Sequence, residues 1–342
     1  MATLTQSTQS LIDQYKNVDG KGQYIDVIET LNNTAQYCLD DWVWMECNSG
    51  LKHTRAIRTG LPSVAWTALY EGIPQSKSAK QTVDDTTGMV EGLSTVDQRQ
   101  LDLYSDNKVA IRSAEARTFV EAISQELMTA LFYHNSNANV RLPKGLAARY
   151  GVKATFGSGA QIVDAGGTGS INTSIWMVEW GYDGLTAIYP KGTVGGIVRE
   201  NMGRQRVLDA SNNPYYVEEE KIGCNVGFSL GDWQRVVRIA NIDNTNLLAG
   251  SVNLYDLLQT AWYRSKVRRI AKLHDQKAPG RSVIYCNKDV LMMLDKLAYR
   301  SANANGQVYL RPAEIEGKEV LTFRGVPIRE TDALLNTESR VL

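Results

Sequence analysis

Residue types capable of chemistry are thinly spread along this chain, and none stands at a spacing that a reaction requires. The histidines are His53, His134 and His274, with no HxxxH or HExxH pattern among them. Cys47 lies near His53, but two ligands do not make a structural zinc site. The pair reads as a core thiol beside a histidine that opens a strand. Cys38, Cys47, Cys224 and Cys286 are spread over the whole length without a CxxC. That pattern is neither a disulfide scaffold nor a zinc framework, and it points to a reducing compartment. No GxSxG is present to build a nucleophile elbow.

Ala165-Gly166-Gly167-Thr168-Gly169-Ser170 comes nearest to a phosphate loop. A phosphate loop needs a lysine after its last glycine and a helix whose N-terminus faces the anion. Here Ile171-Asn172-Thr173 leads into a strand, so the segment reads as a flexible connector. Asp84-Asp85 and Glu218-Glu219-Glu220 place carboxylates side by side. Neighbours on a strand point to opposite faces, so both runs read as solvated surface. One basic cluster, Arg264, Lys266, Arg268, Arg269 and Lys272, suits the C-terminal end of a helix opening near Asn253. It exceeds what the helix dipole asks for, which leaves contact with nucleic acid or an acidic neighbour open. The expectation is a protein with no catalytic residues, no metal and no cofactor.

Composition agrees. The 342 residues carry 37 Lys+Arg against 37 Asp+Glu, which argues against a general nucleic-acid binder, because grip on a phosphate backbone needs a basic excess. With 43% hydrophobic and 22% charged residues the chain is too apolar for disorder and too mixed for a coiled coil. The opening residues MATLTQSTQSLIDQYKN have no basic stretch leading into an apolar one, and no run reaches the length of a membrane span. A soluble protein, intracellular when made and without membrane contact, is expected.

The elements that would position any site emerge from periodicity. Residues 1–22 read as a polar, mobile arm with a short amphipathic stretch at Leu11, Ile12 and Tyr15. Residues 23–48 keep helical spacing. From Thr54 the pattern alternates, and Val64, Trp66, Ala68 and Tyr70 share one face before the turn Glu71-Gly72-Ile73-Pro74. With the polar return arm Gln75 to Gly92 this predicts a long two-stranded hairpin, too weakly apolar to stand alone. Residues 106–133 give the clearest helix, with Phe119, Ile123, Leu127 and Leu131 four apart and Asp106 as N-cap. Residues 134–172 read as loop. Strands 175–178 and 185–189 flank Gly181-Tyr182-Asp183-Gly184 as a hairpin. A polar excursion follows from Lys191 to Asn213, then strand-rich sequence to Ile242. The last third reads as an α/β module: a helix capped by Asn253, a strand at 282–286, a helix capped by Asp289, and strands at 320–323 and 326–328.

Arg55-Ala56-Ile57-Arg58-Thr59-Gly60-Leu61-Pro62 followed by Trp66 resembles the start of the hairpin in major capsid proteins of tailed double-stranded-DNA phages, of a group found in short-tailed phages. The resemblance continues at Pro74-Gln75-Ser76-Lys77-Ser78, Leu131-Phe132-Tyr133-His134-Asn135-Ser136 and Asp164 to Ser170. It runs on through Asn172-Thr173-Ser174-Ile175-Trp176, Ile188-Tyr189-Pro190-Lys191-Gly192, Asp232-Trp233, Val236 to Ile242 and Tyr285-Cys286-Asn287. These blocks cover most of residues 40 to 330.

The resemblance implies the α+β capsid fold shared by tailed phages and herpesviruses. Mapped here, its parts are an N-terminal arm (1–50), an extended E-loop (51–95), a P-domain (96–245) with a spine helix (106–133), and an A-domain (246–342). It implies a non-enzymatic structural role: hexamers and pentamers tile an icosahedral head around packaged DNA. Copies of the chain would be the main partners, with scaffold, portal and cement proteins beside them and DNA touched only non-specifically. The protein would reside in the virion, and in host cytoplasm during assembly. Val64, Trp66, Ala68, Tyr70, Lys77 and Lys80 are the residues expected to touch neighbouring subunits. The alternative is a small-molecule or nucleotide-binding enzyme built on the C-terminal α/β module.

Overall fold

The computed structural model describes residues 38–103, 108–208, 211–266, 281–305, 311–315 and 318–342. The arm at 1–22 and the helix expected from residue 23 lie outside these as far as residue 37. Beyond Leu39 the expected helix is replaced by a strand, β1 (Trp44–Glu46), which pairs in parallel with residues 187–189. A sheet edge outbids helical spacing here. The turn before it is pinned by Asp41, wholly buried between Arg281 and Arg329 at 3.1 Å each.

Strands β2 (Lys52–Gly60) and β3 (Ala79–Asp97) form the base of the expected hairpin, antiparallel from Lys52↔Thr86 to Gly60↔Ala79. Helix α1 (Gln98–Leu103) follows, and then α2 (Lys108–Tyr133). The cap expected at Asp106 lies outside the described residues. The 26 residues of α2 reach about 40 Å. Its Ile123 and Leu127 are buried, and the Phe119 ring rests on Gly92 of β3, where a Cβ would come within 2.7 Å of it. Glycine is required there by the close approach of helix to sheet. A carboxylate at position 119 would meet apolar atoms and no partner. Phe119→Asp is therefore expected to give insoluble subunits on expression; a soluble variant with normal helix content would place this face elsewhere.

Residues 134–172 are less irregular than expected. They contain the short helix α3 (Leu146–Arg149), a 3-10 turn at Gly157–Gln161 and strand β4 (Ile162–Asp164). Strands β5 (Asn172–Trp180) and β6 (Leu185–Tyr189) are not the expected hairpin. They meet only at Trp180↔Leu185, in parallel. Every residue of β5 is buried, so it takes the centre of the sheet and gives its edges to other strands. The polar excursion at 191–213 hides strand β7 (Ile197–Leu208), which pairs along its length with β8 (Pro214–Leu230). An edge strand wet on both faces keeps its backbone bonds without an apolar pattern to announce it.

Strand β9 (Val236–Asp243) pairs with β5, and α4 (Asn244–Leu248) and α5 (Leu254–Arg264) come next. Asn253 caps α5, its side chain accepting from the Asp256 amide. Strand β10 (Arg281–Cys286) takes the other edge of β5. Helix α6 (Lys288–Asn305) is capped by Asn287, which accepts from the Asp289 amide, and not by Asp289 as expected. Asp289 sits in the first turn, where a carboxylate favours the helix dipole. Strands β11 (Arg311–Ile315), β12 (Lys318–Phe323) and β13 (Val326–Glu330) are the last described strands, before a tail that runs to Leu342. The strand order is β11-β12-β13-β10-β5-β6-β8-β3-β2.

Alternate residues of the central strands serve two cores. Trp176, Val178 and Trp180 of β5 pack with Leu127, Leu131 and Phe132 of α2. Ile175 and Met177 pack with Leu258 of α5 and Leu294 of α6. Period-two alternation along one buried strand thus joins both halves of the molecule.

Candidate assembly surface at the hairpin tip

Between Gly60 and Ala79 the chain leaves the sheet. Residues 61–78 form no strand, so the alternation of Val64, Trp66, Ala68 and Tyr70 does not mark the expected strand. Pro62 and Pro74 remove ladder donors from both arms, and Tyr70 takes a left-handed φ of 68°. A tight turn closes the end: the Glu71 amide donates to the Ala68 carbonyl at 3.2 Å, and the Ala68 amide donates to the Glu71 carboxylate at 2.8 Å. Ser76 Oγ donates to the Ser63 carbonyl at 2.6 Å and ties the arms together.

This loop carries the most exposed of the large apolar side chains among the described residues. Val64 is 95% exposed, Trp66 102% and Tyr70 106%, with Leu61, Leu69 and Ile73 also open. Single exposed apolar residues are ordinary; a contiguous set that includes two aromatics marks an interaction surface. Ala68 and Lys77 lie on the same loop, and Lys80 stands on β3 opposite Arg58. The residues expected to touch neighbours thus converge on one projecting element.

Cross-strand pairing sorts the hairpin base into two faces. Lys52, Thr54 and Asp84 face outward, with Asp84 accepting from Lys52 at 2.7 Å and Thr54 at 2.6 Å. His53, Arg55 and Asp85 face the body. Arg55 donates to the Tyr182 carbonyl at 2.5 Å and lies over the Tyr182 ring. Asp85, expected as solvated surface, is only 2% exposed and pairs with Arg149 at 2.7 Å. The expectation fails because the hairpin leans on α3.

The Asn48 amide donates to His53 Nδ1 at 3.3 Å. Burial, then the charge of Arg55, lowers the His53 pKa below its ordinary 6.5, against the pull of Asp85. A proton then binds the unfolded chain better than the folded one. Stability from this site is intact above 6.5 and is lost as pH falls below it. Acidification from about pH 7 to about pH 5 should lower the protection factors of amides 52–60, taken relative to the intrinsic exchange rate at each pH, and His53→Gln should flatten that response. The same pH response in both proteins would assign the titration to another group.

Other chemistry-bearing residues are absorbed by structure. The Gly-rich segment leads into β5. Its Gly166 and Gly167 amides donate to Asp164 and to the Asn241 carbonyl, so they do not cradle an anion. It borders a cavity of about 480 Å3 that also holds Asp243 and Asp256, whose charges oppose phosphate. All four cysteines are buried, and burial pushes the Cys38 and Cys224 thiols up to about 12, which makes them inert. Among the described residues no group of His, Cys, Asp and Glu is arranged to hold a metal ion, and no helix is long and apolar enough to cross a membrane. Arg264 donates to the Ile162 carbonyl and Lys266 pairs with Asp232. Arg268, Arg269, Lys272 and His274 lie outside the described residues.

Sequence reasoning missed the C-terminal segment. Glu338 is buried and accepts from Arg238 at 2.8 Å and from the hydroxyls of Ser174 and Tyr133. Arg238 also donates to the Tyr150 carbonyl and stacks on Trp176. Val341 and Asn241 exchange hydrogen bonds at 2.8 and 2.9 Å. The tail therefore closes the site where β5, β9 and α2 meet. No local pattern announces a lone Glu as an ion-pair partner.

The sequence matches the family described as major capsid protein GP7 over residues 19–342. Among solved structures the chain is similar to one from bacteriophage Epsilon15: 28% identity, 100% of this chain and 99% of that chain covered, TM-score 0.75. It is also similar to the capsid of a native GTA particle, at 10% identity, 64% and 94% coverage and TM-score 0.46. The SrpI encapsulin of Synechococcus elongatus shares 11% identity, with 69% and 96% coverage and TM-score 0.42. Those two likenesses are too distant to bear on the role of this chain. Curated protein sequences give no match.

Proposed function

We propose a division of labour along a chain that belongs to the major capsid protein GP7 family. As a major capsid protein it has the α+β tailed-phage capsid fold, associates with copies of itself to build the icosahedral shell of a phage head, and resides in the virion. Nothing in the comparisons speaks for the enzyme alternative.

Within that role we assign residues 1–50 to an arm, 51–95 to the E-loop, 96–245 to the P-domain and 246–342 to the A-domain. Core membership supports the boundary between the last two parts: α2 belongs to one core, and α5 and α6 to the other. The chain acts without catalysis. Hexamers and pentamers form through Val64, Trp66, Ala68, Tyr70, Lys77 and Lys80 set against the next subunit. Scaffold, portal and cement proteins complete the head, which assembles in host cytoplasm, and packaged double-stranded DNA is touched non-specifically.

The observation that carries this reading is the fully exposed aromatic tip on a hairpin whose base is gripped by the body. Many modest contacts of one kind, repeated around a closed ring, give stability while single wrong contacts stay reversible. Amides of 61–78 should exchange fast in unassembled subunits and at least about tenfold slower in shells. Equal exchange in the two states would sink the assignment of the tip as the contact.

A further inference from the structure

We propose that Arg55, Asp85 and Arg149 form a buttress that sets the angle at which the hairpin leaves the subunit body, and through it the curvature of the shell. The inference rests on the reading that the tip meets neighbouring copies.

Strand β3 is continuous over Ala79–Asp97, yet it changes partners abruptly. Its last pair with β2 is Thr86↔Lys52, and its first pair with β8 is Thr87↔Gly227. The ladder thus passes from β2 to β8 without overlap, and on the β2 side the two-stranded ribbon meets the body by few backbone bonds, the Thr87 amide donating to the Leu51 carbonyl and the Lys191 amide to the Gly50 carbonyl. Backbone bonds at its root alone leave the angle of such a ribbon weakly fixed. The 9 residues of β2 make a lever of about 30 Å. A tilt of about 10° at its base displaces the tip by roughly 5 Å, more than a packed contact tolerates.

The brace sits at this junction. His53↔Asp85 and Arg55↔Val83 are cross-strand pairs, so Arg55 and Asp85 share the face turned to the body. Arg55 reaches the Tyr182 carbonyl at 2.5 Å and Thr186 Oγ at 3.4 Å. Gly231 makes room for it, since a Cβ there would stand 2.7 Å from Arg55 Nη1. Asp85 is held by Arg149 at 2.7 Å, and the same Arg149 nitrogen donates to the Phe228 carbonyl at 2.7 Å. One arginine thus clamps β3 of the hairpin to β8 of the body from α3, while the other clamps β2 to the turn before β6.

Apolar packing alone would do this less well, because it has no preferred angle, whereas charge-assisted hydrogen bonds do. The cluster is also a poor choice for stability by itself. Asp85 Oδ2, Arg149 Nε and Arg55 Nε are buried and make no hydrogen bond among the described residues. Incompletely matched buried charges contribute little net stability, and geometry is what they supply.

The test uses the full chain with Asp85→Asn, which keeps shape and removes the charge, and separately Arg55→Met. Each variant should fold with native far-UV circular dichroism. In unassembled subunits, amides of 52–60 should exchange at least about tenfold faster, while those of 88–96, paired to β8, stay unchanged. Electron microscopy should show open sheets or shells of mixed diameter. Uniform shells of parental diameter from either variant overturn the proposal. Loosening that spreads equally into 88–96 also overturns it, because that marks general destabilisation. If Asp85→Asn does not fold, Arg55→Met decides. Failure of the tip reading is separate: it shows as shells built without residues 61–78, and leaves the exchange difference at 52–60 as the readout of the brace.

Discussion

A subunit in which residues 61–78 are replaced by Asn-Gly is expected to fold, stay soluble and build no closed shells. Gly60 and Ala79 are cross-strand neighbours beyond a one-residue irregularity at Thr59, so a two-residue turn spans the gap between the arms. The hydrogen bonds lost, Ser76 to Ser63 and those between Ala68 and Glu71, lie within the loop itself. The two cores keep their residues, so stability of the unassembled subunit should change by less than about 1 kcal/mol. What disappears is the apolar set around Trp66 and Tyr70. Two aromatics bury roughly 300–500 Å2 when covered by a partner, and truncation of one such anchor typically costs about 2–4 kcal/mol per contact. Repeated at each contact of a ring, that loss leaves no closed assembly. Trp66→Ala alone should show the same direction with partial assembly. Sedimentation and electron microscopy of the purified chain decide the matter; closed shells from the shortened protein would move the principal contact elsewhere.

The second large effect is expected inside the subunit. Glu338→Ala should destabilise the isolated chain by about 3–5 kcal/mol, read from urea unfolding. Side chains of Arg238 and Glu338 are 4% and 5% exposed. Removing the carboxylate leaves a buried guanidinium uncompensated and strips the Tyr133 and Ser174 hydroxyls of their acceptor. Burial and the negative charge of Glu338 hold the Tyr133 phenol well above its ordinary pKa, so it stays a donor that needs this partner. Against a total of about 5–15 kcal/mol for a typical domain, the loss is a large share. Replacing the pair together, Arg238→Met with Glu338→Leu, should recover most of it, because two matched apolar groups avoid the desolvation penalty. A loss under about 1 kcal/mol for the single variant would mean that the tail docks without supporting the core.

By itself the sequence determined what is local. The spacing of Phe119, Ile123 and Leu127 specifies α2 nearly end to end, because a helix satisfies its own backbone within four residues. Asn253 before Leu254 marks the start of α5 for the same reason. The ordered blocks from Arg55 to Asn287 carried the family, and the lack of any catalytic spacing agreed with a structural role. Tertiary structure decided which strand lies beside which. Trp44–Glu46 is a strand because the free edge at residues 187–189 receives it, and β7 is a strand because β8 offers it backbone partners. The turn at Gly181–Gly184 promised a hairpin, yet β5 gave both edges to β9 and β10, since its two faces had two cores to fill. Asp85 reads as surface until Arg149, 64 residues away, comes to it, and Glu338 has no meaning until Arg238, 100 residues away, lies beneath it. Periodicity records how each side chain stands on its own element. Edge allocation and charge pairing depend on residues far along the chain, and only the folded molecule brings those together.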